Sequence, residues 1–242
     1  MTNDLPQNVQ MQFMRPGQLE KAARAFPVVY VPFGLIEWHG RHLPLGNDAI
    51  KAHAFLVKTA QKFGGVVYPP VFFHAGFDQQ HLVPVIGQLF AQLKATGFRV
   101  IIGVSGHNIP EQLAMIENAL ADVTADGQCT GAALWEMTLS KCAESDSDHA
   151  AKWETSNMMF FYPQLVDLSE LGDGEITFDM SPPHGISGLD PRRHASAAVG
   201  QRNAELACDA MGRKARELLA SLPEDRRRFN LPALVPGQWW MI

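Results

Sequence analysis

The 242 residues are 46% apolar and 19% charged, with a formal net charge of −5. That is the balance of a globular domain able to bury its own core without staples, and it gives no electrostatic reason to expect nucleic acid or an anionic membrane as partner. No run approaches the roughly 18 apolar residues of a membrane span. Cys129, Cys142 and Cys208 are odd in number and far apart, so free thiols in a cytoplasmic protein are expected rather than a disulfide framework or a thiolate zinc site.

In chain order, the opening MTNDLPQNVQ has neither a basic flank nor an apolar run, so a signal peptide is not expected in it. Pro27 to Phe33 (PVVYVPF) reads as a buried strand. Asp48 to Phe63 carries Ile50, Ala54, Leu56, Val57 and Ala60 and predicts a helix ended by Gly64-Gly65. A second strand begins at Val66 to Tyr68. Leu82 to Ala95 predicts a second helix closed by Gly97, and Phe98 to Val104 (FRVIIGV) is the clearest strand. Pro110 to Val123 predicts a third helix with Pro110 in its first turn. Ala132 to Met137 predicts a strand. Ser147 to Phe161 predicts a fourth helix capped by Ser147 or Asp148, and Ala195 to Leu219 a long last one. Arg226 to Arg228 follows Glu224-Asp225 and reads as a solvated patch. The alternation implies an α/β fold: a mostly parallel sheet with helices on both faces. One domain is expected over 1–242, with an apolar tail at 222–242.

In such sheets, ligands bind beyond the carboxyl ends of the strands. Those places hold the densest chemistry. Glu37, His39, His42 and Asp48 fall within twelve residues after the first strand. Glu37 and His39 share a side in extended backbone. Asp48 taken alone reads as a helix N-cap rather than a ligand. Ser105-Gly106-His107-Asn108 follows FRVIIGV. His149 and Glu154 are five apart, so in a regular helix they diverge by about 140°. They converge only if His149 lies in the preceding loop or first turn. Without that context Glu154 is a solvated helix carboxylate.

GLIEWHGRHLPLGND resembles the creatininase-family segment E-x-H-G-x-H-L-P-x-x-x-D at every fixed position. VSGHN resembles that family's NGHGGN turn, and DHAAKWETS its H-A-G-x-x-E-T-S segment. GISGLDPRRHA is more weakly similar to a G-x-x-G-x-P loop. The resemblance implies a three-layer α/β/α sandwich with a two-metal centre. Carried over, Glu37, Asp48 and His107 would hold one ion and His39, Asp48 and Glu154 the other, with Asp48 bridging. His149 would shuttle protons and, with Glu154, form the catalytic pair. Histidine and carboxylate ligands suit zinc, manganese or iron. His42, Trp38, Trp153 and Asn108 are candidates for substrate contact, and Phe73 for a pocket wall.

The implied activity is a metal-dependent amidohydrolase cleaving a C–N bond of a small molecule, cyclic amides and formamides included. Other readings remain open on the same scaffold: ring opening of a keto-sugar or keto-inositol, peptide trimming, or a non-catalytic ligand-binding protein. The resemblance also implies a homo-oligomer, a hexamer among the possibilities. Three departures argue against creatinine itself. SGHNIP lacks two glycines of the family turn, and Ile109 stands where creatininases proper carry a glutamate. The family's P-G-T segment is not evident around His81 to Gly87.

Overall fold

The computed structural model describes residues 7–74, 76–136, 148–176 and 185–230. Cys142, Met137, Ser147 and the tail from residue 231 onward lie outside these.

Among the described residues, five parallel strands form the sheet: β1 (Val28–Ile36), β2 (Val66–Val67), β3 (Val71–His74), β4 (Val100–Ser105) and β5 (Thr130–Trp135). β1 is central to its neighbours. β4 lies on one side of it, with β5 beyond, and β2 and β3 share the other. β2 pairs with Val29 and Tyr30, and β3 with Phe33 to Ile36. The expected second strand is therefore two short pieces. Between them stand Tyr68, Pro69 and Pro70, and a proline cannot donate to the ladder.

The helices are α1 (Pro16–Ala25), α2 (Asn47–Phe63), α3 (Gln79–Thr96), α4 (Pro110–Thr124), α5 (Lys152–Phe161), α6 (Pro191–His194) and α7 (Ala197–Ser221). Period-two alternation along the strands sends side chains to two cores. Val29, Val31, Phe33 and Ile101 join Ile86, Phe90 and Ile116 of α3 and α4. Val28, Tyr30, Ile102 and Val104 join Leu56, Val57 and Met211 of α2 and α7. This is the three-layer sandwich expected.

Helix ends depart from expectation where a cap decides. α3 starts three residues early because the Asp78 carboxylate accepts from Gln80 N–H at 2.9 Å. α7 starts after Ser196, whose hydroxyl accepts from Val199 N–H. α5 begins only at Lys152, yet Asp148 still serves its N-terminus, accepting from Trp153 N–H at 2.6 Å and Glu154 N–H at 3.2 Å. α1, which sequence periodicity did not reveal, buries only Leu19 and Ala23. No helix among the described residues is long and apolar enough to cross a membrane.

Candidate metal centre

β1 runs three residues further than its apolar core suggests, through Gly34-Leu35-Ile36, and delivers Glu37 at its end. Two glycines let α2 approach the sheet. A Cβ on Gly34 would lie 2.2 Å from Ala49 N, and one on Gly106 would lie 2.1 Å from the Asp48 carbonyl oxygen. Only bare backbone lets the first turn of α2 settle between the ends of β1 and β4. Asp48 is the second residue of α2, whose N-cap is Gly46. Its carboxylate does not cap the helix. It accepts from Leu35 N–H at 3.2 Å and faces two imidazoles.

Asp48 Oδ1 lies 3.0 Å from His39 Nε2, and Oδ2 lies 3.3 Å from His107 Nδ1. Glu37 Oε1 stands 2.9 Å from His107 Nδ1 and 3.6 Å from His39 Nε2. Glu154 Oε2 is also 3.6 Å from His39 Nε2. Ligand atoms of Glu37, Asp48 and His107 lie within 4.8 Å of one another, and so do those of His39, Asp48 and Glu154. His149 joins Glu37 and His39 in a third such group.

His149 is not helical. It forms an isolated antiparallel bridge with Ser187 ahead of α5, which is the loop position that convergence with Glu154 requires. Its ring stacks on His39 at a centroid distance of 4.4 Å. Its Nε2 donates to the Trp38 carbonyl at 2.8 Å, since a carbonyl only accepts. In the neutral ring Nδ1 is then the nitrogen with the lone pair. Next to it, Ala150 adopts φ +53°, a costly left-handed turn for a residue with a Cβ. That turn aims its N–H at Glu154 Oε2, 2.7 Å away.

The other Glu154 oxygen meets a residue that sequence reasoning missed. Lys51 is fully buried. Its ammonium donates to Glu154 Oε1 and stands 3.2 Å from Glu136 Oε1. Lys51 lies three residues after Asp48 on the same helix face. That spacing was the available signal. Its partners lie 85 and 103 residues away in sequence.

Charge and burial oppose each other throughout this cluster. Burial would raise the Asp48 carboxyl, but His107, His39 and Lys51 together hold it far below the usual range. Burial likewise opposes charge on Glu154, and Lys51 and His39 outweigh it. Burial disfavours protonation of His39, and Glu154 and Asp48 reverse that, raising it to about 9. His107 is also raised to about 9, burial being outweighed by Asp48 and Glu37. Burial opposes charge on Lys51, but Glu136, Glu154 and Asp48 keep it protonated. Glu136 is pushed up to about 8 by burial, which Lys51 offsets only in part. Asp148 rises to about 7 through burial and the Glu154 charge.

Do these residues fit a metal pair? Glu37 Oε1, His39 Nε2 and Asp48 Oδ1 are buried and, among the described residues, have no hydrogen-bond partner. Such orphans are costly unless something else binds them. The His39 Nδ1–H points at the Glu37 carbonyl, 3.3 Å away, so Nε2, 3.0 Å from Asp48 Oδ1, is the nitrogen placed for an ion. The donor set is oxygen and imidazole nitrogen, and it suits zinc, manganese or iron. The fit is good.

A cavity of about 230 Å³ opens on this cluster, walled by Glu37, Asp48, His107, Asn108, Asp148, His149, Glu154 and Ser187, with Gly106 and Ile109. Asn108 is on this wall. Three other candidates are not on this wall. His42 is buried and hydrogen-bonds the Thr155 hydroxyl at 2.9 Å. Trp153 is buried, with the Lys152 ammonium 4.1 Å from its ring centroid. Trp38 contributes its carbonyl to His149 while its ring is partly exposed. Phe73 lines a neighbouring cavity.

Comparison with known proteins adds an independent line. The family model for creatininase, described as creatinine amidohydrolase, matches residues 12–220. Creatinine amidohydrolase of Pseudomonas putida is 23% identical over 199 residues, covering 69% of this chain and 75% of that protein. A mycofactocin precursor peptide peptidase of Mycolicibacterium smegmatis is 30% identical over 164 residues, covering 60% of this chain and 62% of its own. A crystal structure of creatininase superposes with a TM-score of 0.69 at 20% identity, covering 87% of this chain and 98% of that one. A structure described as creatininase Mn does so with a TM-score of 0.68, covering 86% and 98%.

Proposed function

The chain belongs to the creatininase family, and on that premise we propose that it is a hydrolase cleaving a C–N bond of a small amide, with two divalent cations held on either side of Asp48. One observation carries the reading: the two oxygens of this carboxylate face different imidazoles, His39 at 3.0 Å and His107 at 3.3 Å. Glu37, Asp48 and His107 would hold one ion, and His39, Asp48 and Glu154 the other. Zinc and manganese are the first choices, with iron admitted by the same ligands. A Zn–Zn form of a mutant creatininase and a Mn form of creatininase among the structural neighbours support this. Three carboxylates bring three negative charges against about four positive ones, so a hydroxide completes neutrality.

When bound, such a pair polarises a carbonyl and lowers the pKa of the attacking water. The remaining tasks fall to the chain. Trp38 fixes the His149 tautomer, so Nδ1 is the atom that takes a proton from water and returns it to the leaving nitrogen. Asn108 Oδ1 is buried with no hydrogen-bond partner among the described residues, and is available to a substrate N–H. Lys51 and Ala150 N–H hold the two oxygens of Glu154, fixing its rotamer.

A second reading, trimming of a peptide, draws on the 30% identity to the mycobacterial peptidase. It uses the same centre on a different C–N bond. The test is elemental analysis of the purified protein after loading with zinc or manganese, joined to a hydrolysis screen of small amides against short peptides. About two ions per chain and chelator-sensitive amide cleavage are expected. Cleavage of peptides alone selects the second reading, and one ion or none overturns the binuclear one.

A further inference from the structure

Beside the charged cavity lies a second one of about 170 Å³, and the two share His107 and Ile109. Its wall is of another kind. Leu35, Phe73, Phe77, Leu82, Ile109 and Met115 form it. Of the polar groups there, His74 and Glu111 are exposed, and buried Gln112 already accepts from the Ser105 hydroxyl. The aromatic part is braced from the core. Phe33 stacks on Phe73 at 6.5 Å, and Phe73 meets Phe77 edge-on at 6.3 Å. Phe77 nonetheless stays 56% exposed and Ile109 39%, which leaves apolar surface in water right beside a metal centre.

Size and chemistry narrow the occupant. A cavity of about 150 Å³ lined by Leu, Ile and Phe takes up benzene. A charged group would lose hydration against the Leu35, Phe73, Phe77, Leu82, Ile109 and Met115 side chains, which cannot replace it. Position narrows it further. The apolar cavity touches His107, and neither His149 nor Asp148 lines it. His149 is the group assigned above to the leaving nitrogen. The annex therefore opens beside His107 and away from the proton-carrying His149.

We propose that this annex is an acyl-side specificity pocket, receiving an uncharged, phenyl-sized group carried on the carbonyl carbon of the substrate. The proposal rests on the amide-hydrolase reading and names its substrate class: arylamides and amides of bulky apolar acids, in preference to acetamides or charged acyl groups.

The test is calorimetric binding of benzohydroxamate and acetohydroxamate to the zinc-loaded full chain. The two probes chelate metal through the same group and differ in the acyl substituent. Benzohydroxamate should bind at least about tenfold tighter. Leu82→Trp fills the pocket from α3 and should abolish that preference while leaving acetohydroxamate binding in place. Phe77→Ala, at an exposed rim position that tolerates truncation, should weaken benzohydroxamate alone. Equal binding of the two probes to the unaltered chain, or a preference untouched by both folded variants, overturns the pocket. The hydrolase reading fails differently: a chain that retains no zinc and binds neither probe overturns both.

Discussion

The two sides of Asp48 are built differently. On one side, the Glu37 and His107 side chains keep 17% and 15% of their exposure. On the other, His39 keeps none and Glu154 3%, and a buried ammonium stands behind them. Among the described residues the open side has no lysine or arginine against Glu37 or His107, only the His107 imidazole itself. The buried side already has Lys51, which shares Glu154 with any incoming ion. Two like charges near one carboxylate repel strongly where water is scarce. A shared bridging residue therefore does not make equivalent sites: the open side should fill first, and the buried side second and more weakly.

The largest effect that would sharpen this contrast is loss of one side alone. Glu154→Gln should retain about one ion per chain and lose amide hydrolysis, as elemental analysis beside an activity assay would reveal. Two retained ions would break the assignment. Next comes the proton carrier. His149→Asn should keep both ions while turnover falls by about 10²–10⁴. Near-normal turnover would remove His149 from the chemistry, and lost metal would make it a ligand or its support.

Lys51→Met probes the buried side from behind. In the metal-free chain it leaves Glu154 and Glu136 buried without their cation, which typically costs about 3–5 kcal/mol. Metal should restore part of that, because an ion near Glu154 supplies the missing charge. Urea midpoints with and without zinc should therefore show a larger metal-induced gain in the variant than in the unaltered chain. Equal gains would deny any link between Lys51 and the second ion.

The smallest effect separates the scaffold from the centre. His53, five residues beyond Asp48 on α2, is buried, and burial alone lowers its pKa to about 4. The unfolded chain takes up that proton near pH 6.5. Stability should then fall as pH drops from about 6.5 to about 4, by up to about 3 kcal/mol, and this contribution levels off below. His53→Gln should flatten that limb in denaturation curves. An unchanged limb would place the acid sensitivity in the metal centre instead.

Much of this was legible in the sequence because it is local. PVVYVPF and FRVIIGV announce buried strands, and Gly97 announces a helix end. The E-x-H-G-x-H-L-P-x-x-x-D spacing brought Glu37, His39 and Asp48 to attention, and VSGHN added His107. What stayed hidden depends on distance in sequence. Lys51 reads as an exposed helical lysine until Glu136 and Glu154 close around it. The late start of α5 is set by Asp148 reaching forward and by His149 pairing with Ser187, neither of which has a periodicity. β3 is a four-residue strand after two prolines, too short to announce itself. His42 and Trp153 looked like site residues by proximity in sequence, but the fold turns them into the interior.

The central claim is that Asp48 joins two unlike metal positions, and stepwise titration of the metal-free chain with zinc tests it most directly. For the unaltered chain the account predicts two binding events of unequal affinity, and for Asp48→Ala the loss of both. A single class of sites, or an Asp48→Ala variant that still binds two ions, would contradict it.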